Sequence, residues 1–370
     1  MASFQKRGKT WQYIVSNKGN QIRKGGFRTK KEAQVAAGEV EANLLRGIVS
    51  NLKEEPFAWY FKEWIDLYKK NIKGQTKYHY GRSLEIVEEY FKDTPLQKIT
   101  RQDYQGFIND YGSTRSKETV EKLNYHCRAC IRDAVEDMII PFDFTRKVTL
   151  TWKIQAKRSE EKHLSYYESK ALFKEVVNRL DKGLGYYILL LALSTGMRFG
   201  EMVGLTRKDF NFEDSTINIE KTWGYAKNSP EGFGPTKNDE SIRVIKVNKF
   251  TMDTFEQLFI TTPTNNFDLV FYSQASKYKV ISNANVNKLL NKVLDDLKIK
   301  KLNLHGLRHT HASVLLYGGE SNQKVSMNYV SERLGHKDVE TTWKTYSHIL
   351  DEMREKDEEE TISIFENMFV

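Results

Sequence analysis

Two arginines, two histidines and a tyrosine stand in short motifs whose residue types suit chemistry at phosphorus. Arg198 lies in Thr195-Gly196-Met197-Arg198-Phe199-Gly200-Glu201, and His305 and Arg308 share His305-Gly306-Leu307-Arg308-His309. His336 follows Leu334-Gly335, and Tyr346 comes ten residues later. Arginine forks bind non-bridging phosphate oxygens in pairs and stabilise charge that builds on a pentavalent phosphorus. The histidines can donate to the same phosphate or move a proton. A phenol oxygen can attack and leave a covalent phosphotyrosine. Lys237, between two strand-like stretches, could protonate the departing oxygen. No carboxylate pair accompanies these residues, which argues against a two-metal nuclease. His305 and His309 have the i, i+4 spacing of zinc sites, but the glutamate of HExxH and an acidic third ligand are missing, so no metal is expected.

The elements that must position these groups are mostly helices. Ser165, with Glu168 three residues on, caps one. Tyr186 to Leu193 reads as a strongly apolar helix leading into Ser194-Thr195-Gly196, and Arg198 to Leu205 as the next. Thr216–Glu220 and Ser241–Val247 read as strands, with Lys237 on a flexible hairpin tip between them. Residues 283–298, 305–317, Asn328–Leu334 and Val339–Leu350 read as helices, the last carrying Tyr346. An acidic tail ends in Ile362, Ile364, Phe365, Met368, Phe369 and Val370, suited to packing on a neighbouring copy or on its own domain.

Ahead of this lie two other patterns. Residues 4–28 read as a small antiparallel sheet: Trp11–Val15 alternates, Gln21–Lys24 resumes, Gly25-Gly26 breaks it and Phe27-Arg28 forms a third strand. Thr29 and Glu32 open a helix that Gly47 stops. Lys6, Arg7, Lys9, Arg23, Lys24 and Arg28 make the sheet side basic, a pattern able to enter a DNA groove. From Phe57 the period becomes helical, with four helices, the third capped by Thr100 and Asp103 and the last closed by Pro141. Lys69, Lys70, Lys73, Lys77, Arg115, Lys117 and Lys122 are candidate phosphate contacts there. The fold class is therefore α+β and multidomain: a three-stranded sheet with one helix, a four-helix domain, and a mostly helical domain with a small antiparallel sheet. The expected divisions are 1–55, 56–150, a basic linker 151–163, and 164–370.

The chain has 370 residues, 39 % of them hydrophobic and 29 % charged, a soluble globular composition with no transmembrane run or signal peptide. Its net charge of +9 is uneven: residues 1–55 carry 11 Lys/Arg against 5 Asp/Glu, and residues 351–370 carry 2 against 8. A basic body suggests a polyanionic partner, though ordinary solubility charge gives the same surplus. Two cysteines fit a reducing, cytoplasmic setting, and Cys127-Arg128-Ala129-Cys130, inside a helical pattern without a second pair, reads as two buried or half-buried thiols.

Taken together, TGMRFGE, Thr236-Lys237 leading to Ser241-Ile242-Arg243, HGLRHT, LGH and Tyr346 resemble, in order and spacing and over the whole chain, the tyrosine recombinase (phage integrase) family, close to the integrases of temperate phages and integrative conjugative elements of Gram-positive bacteria. The resemblance implies that Arg198 and Arg308 bind phosphate, that Lys237 is the general acid, with Lys227 and Lys221 as alternatives should the long loop before it shift the register, that His305 and His336 are the two site histidines and that Tyr346 is the nucleophile, with Glu201 orienting its neighbours. It implies arm-type binding by residues 1–55, core-site binding by 56–150, and cleavage and rejoining through a 3′-phosphotyrosine and a Holliday junction. No cofactor is implied. The implied partners are duplex attachment sites of core and arm type and three further copies in a tetramer, with an excisionase and a DNA-bending host factor as candidates. The rival readings are a type IB topoisomerase, which needs neither arm domain nor tetramer, and a DNA-binding regulator that has kept the fold.

Overall fold

The computed structural model describes residues 2–17, 20–45, 54–72, 74–156, 159–227, 231–318, 325–352, 358, 361–362 and 365–368. Gly47, the candidate contact Lys73, Lys157 and Arg158 of the basic linker, and Ile364, Phe369 and Val370 of the tail lie outside these residues. The chain divides into two compact units, Met1–Ala156 and Lys157–Val370. Among the described residues no helix is long and apolar enough to cross a membrane.

The first unit opens with β1 (Ser3–Arg7), β2 (Thr10–Asn17) and β3 (Asn20–Phe27), antiparallel in that order, followed by α1 (Lys30–Leu45). The third strand is thus Ser3–Arg7 and not Phe27-Arg28, because Phe4 pairs with Tyr13 and gives an otherwise polar segment an apolar anchor. Gly25 and Gly26 do not end β3. They sit where the ladder with β2 shifts register between Trp11 and Tyr13, so they bend the strand instead. Small residues on α1, Ala33 and Ala37, bring the helix close over Tyr13, Val15 and Ile22. Thr29 Oγ1 accepts from Glu32 N at 3.1 Å, while Glu32 reaches past the cap to accept from Arg28 N at 3.0 Å.

Four helices follow: α2 (Phe57–Tyr68), α3 (Gly74–Phe91), α4 (Arg101–Gly112) and α5 (Lys117–Glu136). Phe57, Phe61, Trp64, Val87, Phe91, Phe107 and Ile131 fill their core. Thr100 and Asp103 form the expected reciprocal cap of α4. Pro141 does not close α5, which stops at Glu136. Met138 turns left-handed at φ 58° and Ile139 N bonds back to Ala134 O at 2.8 Å. Cys127 and Cys130 are buried in this core, and burial pushes the Cys127 thiol up to about 12, which leaves it unreactive at neutral pH.

In the second unit α6 (Tyr166–Val177) starts at the expected Ser165–Glu168 cap. The central helix is α7 (Leu184–Thr195), whose Ile188–Leu193 stretch is buried throughout, which is why it shows no amphipathic period. Next come α8 (Phe199–Val203), β4 (Phe210–Asn211), β5 (Thr216–Ile219), β6 (Lys221–Trp223), β7 (Phe233–Pro235) and β8 (Arg243–Lys246). Strands β4, β5 and β8 form one antiparallel sheet and β6–β7 a separate hairpin. The unit closes with α9 (Lys249–Thr261), α10 (Asn283–Asp296), α11 (Leu304–Tyr317), α12 (Met327–Leu334) and α13 (Val339–Glu352). Helices α6, α9, α10 and α11 all pack on α7.

Candidate active site

Two helix ends build the centre of the site. Helix α7 ends at Gly196 and α12 at Gly335, both left-handed at φ 66°. Glycine alone takes this turn without strain, and a side chain would collide as well. A Cβ on Gly196 would lie 2.8 Å from His311 and Leu334, and one on Gly335 would lie 3.0 Å from Arg243 and Ser241. The turns aim main-chain carbonyls at the two candidate arginines. Arg308 donates from Nη1 to Gly196 O at 2.8 Å and from Nη2 to Leu334 O at 2.6 Å. Arg198 donates from Nη2 to Gly335 O at 2.9 Å. Two guanidiniums 110 positions apart in sequence therefore grip the consecutive carbonyls of Leu334 and Gly335, at the negative end of a helix dipole that offsets their mutual repulsion.

A buried carboxylate completes the frame. Glu201 Oε1 accepts from Arg198 Nη1 at 2.7 Å, and its Oε2 accepts from Arg198 N at 3.0 Å and from Arg243 Nη2 at 3.1 Å. Arg243 also donates to Arg333 O and Ser241 O, each at 2.7 Å, tying β8 to α12. Ser241 Oγ accepts from Arg198 Nη1 at 3.0 Å. Burial alone would raise the Glu201 carboxyl, but the Arg243 and Arg198 guanidiniums outweigh it and hold it below the usual range. Its stabilising contribution is therefore present above the unfolded carboxyl value of about 4.3 and is lost as pH falls through the lower folded value. Glu201→Gln is expected to cost about 3–5 kcal/mol at pH 7, because it strands Arg243 in the interior. Urea melts of both proteins check this, and the gap should shrink below about pH 4.

The remaining candidates divide. His305 is exposed on the first turn of α11, and partial desolvation with the charges of Arg308, Arg198 and Lys237 lowers its pKa. His336 Nδ1 lies 2.6 Å from Thr342 Oγ1, and burial pushes the ring down to about 3, so it is neutral at pH 7. Arg308 is 3 % exposed; burial and Arg198 push it down to about 9, still a cation at pH 7. Lys237 is not at the hairpin tip. Strand β6 ends at Trp223 and β7 begins at Phe233, and Lys237 lies exposed two residues beyond β7, before the helical turn Asp239–Ser241. Lys221, one alternative, is held by Asp209 at 2.7 Å, whereas Lys227 is exposed.

Tyr346 is only 1 % exposed, packed among Ala312, Leu316, Val330 and Leu334. Burial raises its phenol to about 12, against the lowering pull of Arg308. Its hydroxyl lies 2.9 Å from His309 Nδ1. His309, Arg243 and Ser241 are the site residues that the motif reading left without a role. The available signal for His309 was its i+4 row with His305 on α11, whose rings meet edge-to-face at 4.8 Å. Among the described residues no three His, Cys, Asp or Glu side chains gather as metal ligands.

The candidate DNA contacts are less unified. Lys6, Arg7, Lys9, Arg23, Lys24 and Arg28 are all exposed, but strand register splits them. Arg7 and Arg23 share the face of Gln5, Gln12 and Ile14, away from α1, while Lys6 and Lys24 register with Trp11 and Tyr13 on the helix-covered face. The basic residues of the sheet side therefore do not all lie on its open face. In the four-helix domain Arg115 and Lys122 line one groove of about 780 Å³ with His79 and Arg82. Lys69 sits over the Trp64 ring at 4.4 Å and Lys117 over Trp152 at 5.3 Å, while Lys70 and Lys77 are exposed.

Comparison with known proteins agrees along the length of the chain. The Phage integrase family profile matches residues 162–353, the phage integrase N-terminal SAM-like domain residues 57–111, and the Arm DNA-binding domain residues 3–44. The chain is 26 % identical over 339 residues to the integrase of Staphylococcus phage L54a, covering 82 % of this chain and 92 % of that protein. It is 25 % identical over 349 residues to the ICEBs1 integrase of Bacillus subtilis, covering 87 % and 86 %. Its fold is similar to that of the Tn1549 transposon integrase in complex with a circular intermediate DNA, with a TM-score of 0.66 at 18 % identity over 79 % of this chain and 95 % of that one. A lambda integrase tetramer bound to a Holliday junction is similar at a TM-score of 0.56, 16 % identity, and 90 % and 91 % coverage. With a profile spanning more than half of its 370 residues and relatives matched nearly end to end, the chain belongs to the phage integrase family, the tyrosine-type site-specific recombinases.

Proposed function

We propose that this recombinase integrates and excises a mobile genome, a phage or an integrative element, with Tyr346 as nucleophile, Arg198 and Arg308 as the phosphate clamp, His305 and His336 as donors to the same phosphate, and Lys237 as the acid for the departing 5′ oxygen. The observation that carries this reading is the grip of both guanidiniums on adjacent carbonyls, with His336 as the very next residue. Arg308 keeps further N–H groups beyond the two bonded to Gly196 and Leu334, and these can receive a non-bridging oxygen. Tyr346 Oη then bonds to phosphorus, the P–O5′ bond breaks, and the bond energy stays in the 3′-phosphotyrosine until a partner strand's 5′ hydroxyl attacks it.

Two rounds of exchange through a Holliday junction require four protomers on two core sites. The exposed tail residues Ile362, Phe365 and Met368 suit packing on a neighbouring protomer. Residues 56–150 serve the core site and 164–370 cut it, with 151–163 as linker. Residues 1–55 serve the arm sites, Arg7 and Arg23 being the best-placed contacts on the open sheet face. An excisionase and a DNA-bending host protein are the candidate directional partners.

The test is a nicked suicide substrate carrying the element's own core site, incubated without added metal and resolved on a denaturing gel. A protein–DNA adduct supports the reading. Binding without an adduct favours a regulator, and supercoil relaxation without strand exchange favours a topoisomerase. Removing residues 1–55 is expected to leave suicide-substrate cleavage within about threefold of wild type and to reduce integration between full attachment sites at least tenfold, since core and arm contacts are separate binding terms. Unchanged integration by the truncated chain would remove the arm assignment.

A further inference from the structure

We propose that His309 is a further catalytic residue: its Nδ1 takes the Tyr346 proton as the phenol oxygen attacks phosphorus, and returns it when the strand is resealed. This rests on the reading of Tyr346 as nucleophile. A phenol attacks well only as it loses its proton, and Tyr346 is 1 % exposed, so bulk hydroxide does not reach it in this arrangement. Among the described residues its hydroxyl has one hydrogen-bond partner, His309 Nδ1 at 2.9 Å.

The groups facing His309 are His305 and Arg308 from its own helix, Lys162 and His163 from the segment before α6, His336 from the turn between α12 and α13, and Tyr346 from α13. Burial, then these cationic and imidazole neighbours, keep the ring a free base at neutral pH, with a pKa near 4. The Nε2–H tautomer presents a lone pair on Nδ1 to the phenol. Transfer ahead of attack would be steeply uphill, since the phenol stands near 12. The proton therefore moves in concert with Oη–P bond formation, which acidifies the phenol as its oxygen becomes an ester. The P–O5′ bond breaks in the same step, and the leaving oxygen takes its proton from the separate acid, Lys237 in the reading above. In rejoining, the His309 imidazolium protonates the departing phenol oxygen.

The experiment is single-turnover cleavage of the nicked core substrate by full-length wild type, His309→Gln and His309→Ala, between pH 5.5 and 9. Each is measured with an ordinary phosphodiester and with a 5′-bridging phosphorothiolate, whose sulfur leaves without an acid. The variants are expected to bind DNA normally and to cleave about 10²–10⁴-fold more slowly. Their residual rate should climb with pH where the wild type is level, and sulfur should give no rescue. The Gln variant, which keeps a side-chain hydrogen bond in reach, carries the test if the Ala variant loses its fold. A Gln variant within threefold of wild type, an unchanged pH profile, or rescue by sulfur would each overturn the proposal. Wild type that forms no adduct through Tyr346 would overturn the underlying reading itself.

Discussion

Tyr346→Phe is expected to bind attachment-site DNA as tightly as wild type and to form no covalent adduct. The substitution removes one oxygen from a ring that is otherwise enclosed by Ala312, Leu316, Val330 and Leu334. The packing is kept, and the folded state loses only the 2.9 Å bond to His309, worth about 1 kcal/mol net. Fold and binding are therefore expected to be nearly untouched, while the atom proposed to bond to phosphorus is gone. Denaturing gels after incubation with a suicide substrate, beside a mobility-shift titration, separate the two effects. An adduct from the Phe variant would place the nucleophile on another residue.

Arg308→Ala is expected to be the most damaging single change that leaves the nucleophile in place. It removes donors from Gly196 O and Leu334 O, two helix-end carbonyls in a buried setting, at about 1–3 kcal/mol each. Relief of the repulsion with Arg198 offsets part of that. It also removes the donors proposed to meet the developing charge, where one lost donor slows such reactions roughly 10²–10³-fold. The expected result is a destabilised protein that cleaves at least about 10³-fold more slowly, measured under single-turnover conditions below its melting range. Arg308→Lys should rescue little, because one ammonium does not span both carbonyls and a phosphate oxygen. Cleavage by Arg308→Ala within tenfold of wild type would sink the clamp assignment.

Local signals in the sequence were reliable where a side chain and a backbone amide meet within one turn. Thr100 with Asp103 and Ser165 with Glu168 cap the helices they were read to cap. The signals failed where partners are distant. Strand Ser3–Arg7 is polar by itself and becomes a strand through Phe4 facing Tyr13. Helix α9 went unrecognised, although Met252, Phe255 and Leu258 line its buried side and Asn248 caps it. The expected helix from Arg198 to Leu205 shrinks to Phe199–Val203, because Arg198 is the extended residue before the helix and not part of its first turn. The motif reading named the candidate arginines, histidines and tyrosine by residue type and order. It did not contain the bond between His309 and Tyr346, which depends on the docking of α11 against α13.

The paired grip on Leu334 and Gly335 has a thermodynamic consequence for the free protein. Two like charges are held side by side, and each lowers the proton affinity of its surroundings, as Arg308 shows. The helix end and Glu201 offset their repulsion only in part, so a polyanion binding here would relieve the remainder. Anything that binds the folded form alone raises its unfolding midpoint in proportion to the logarithm of its free concentration. If the proposed clamp holds phosphate, the melting temperature of the protein is a titratable readout of that occupancy, available before any bond is cut.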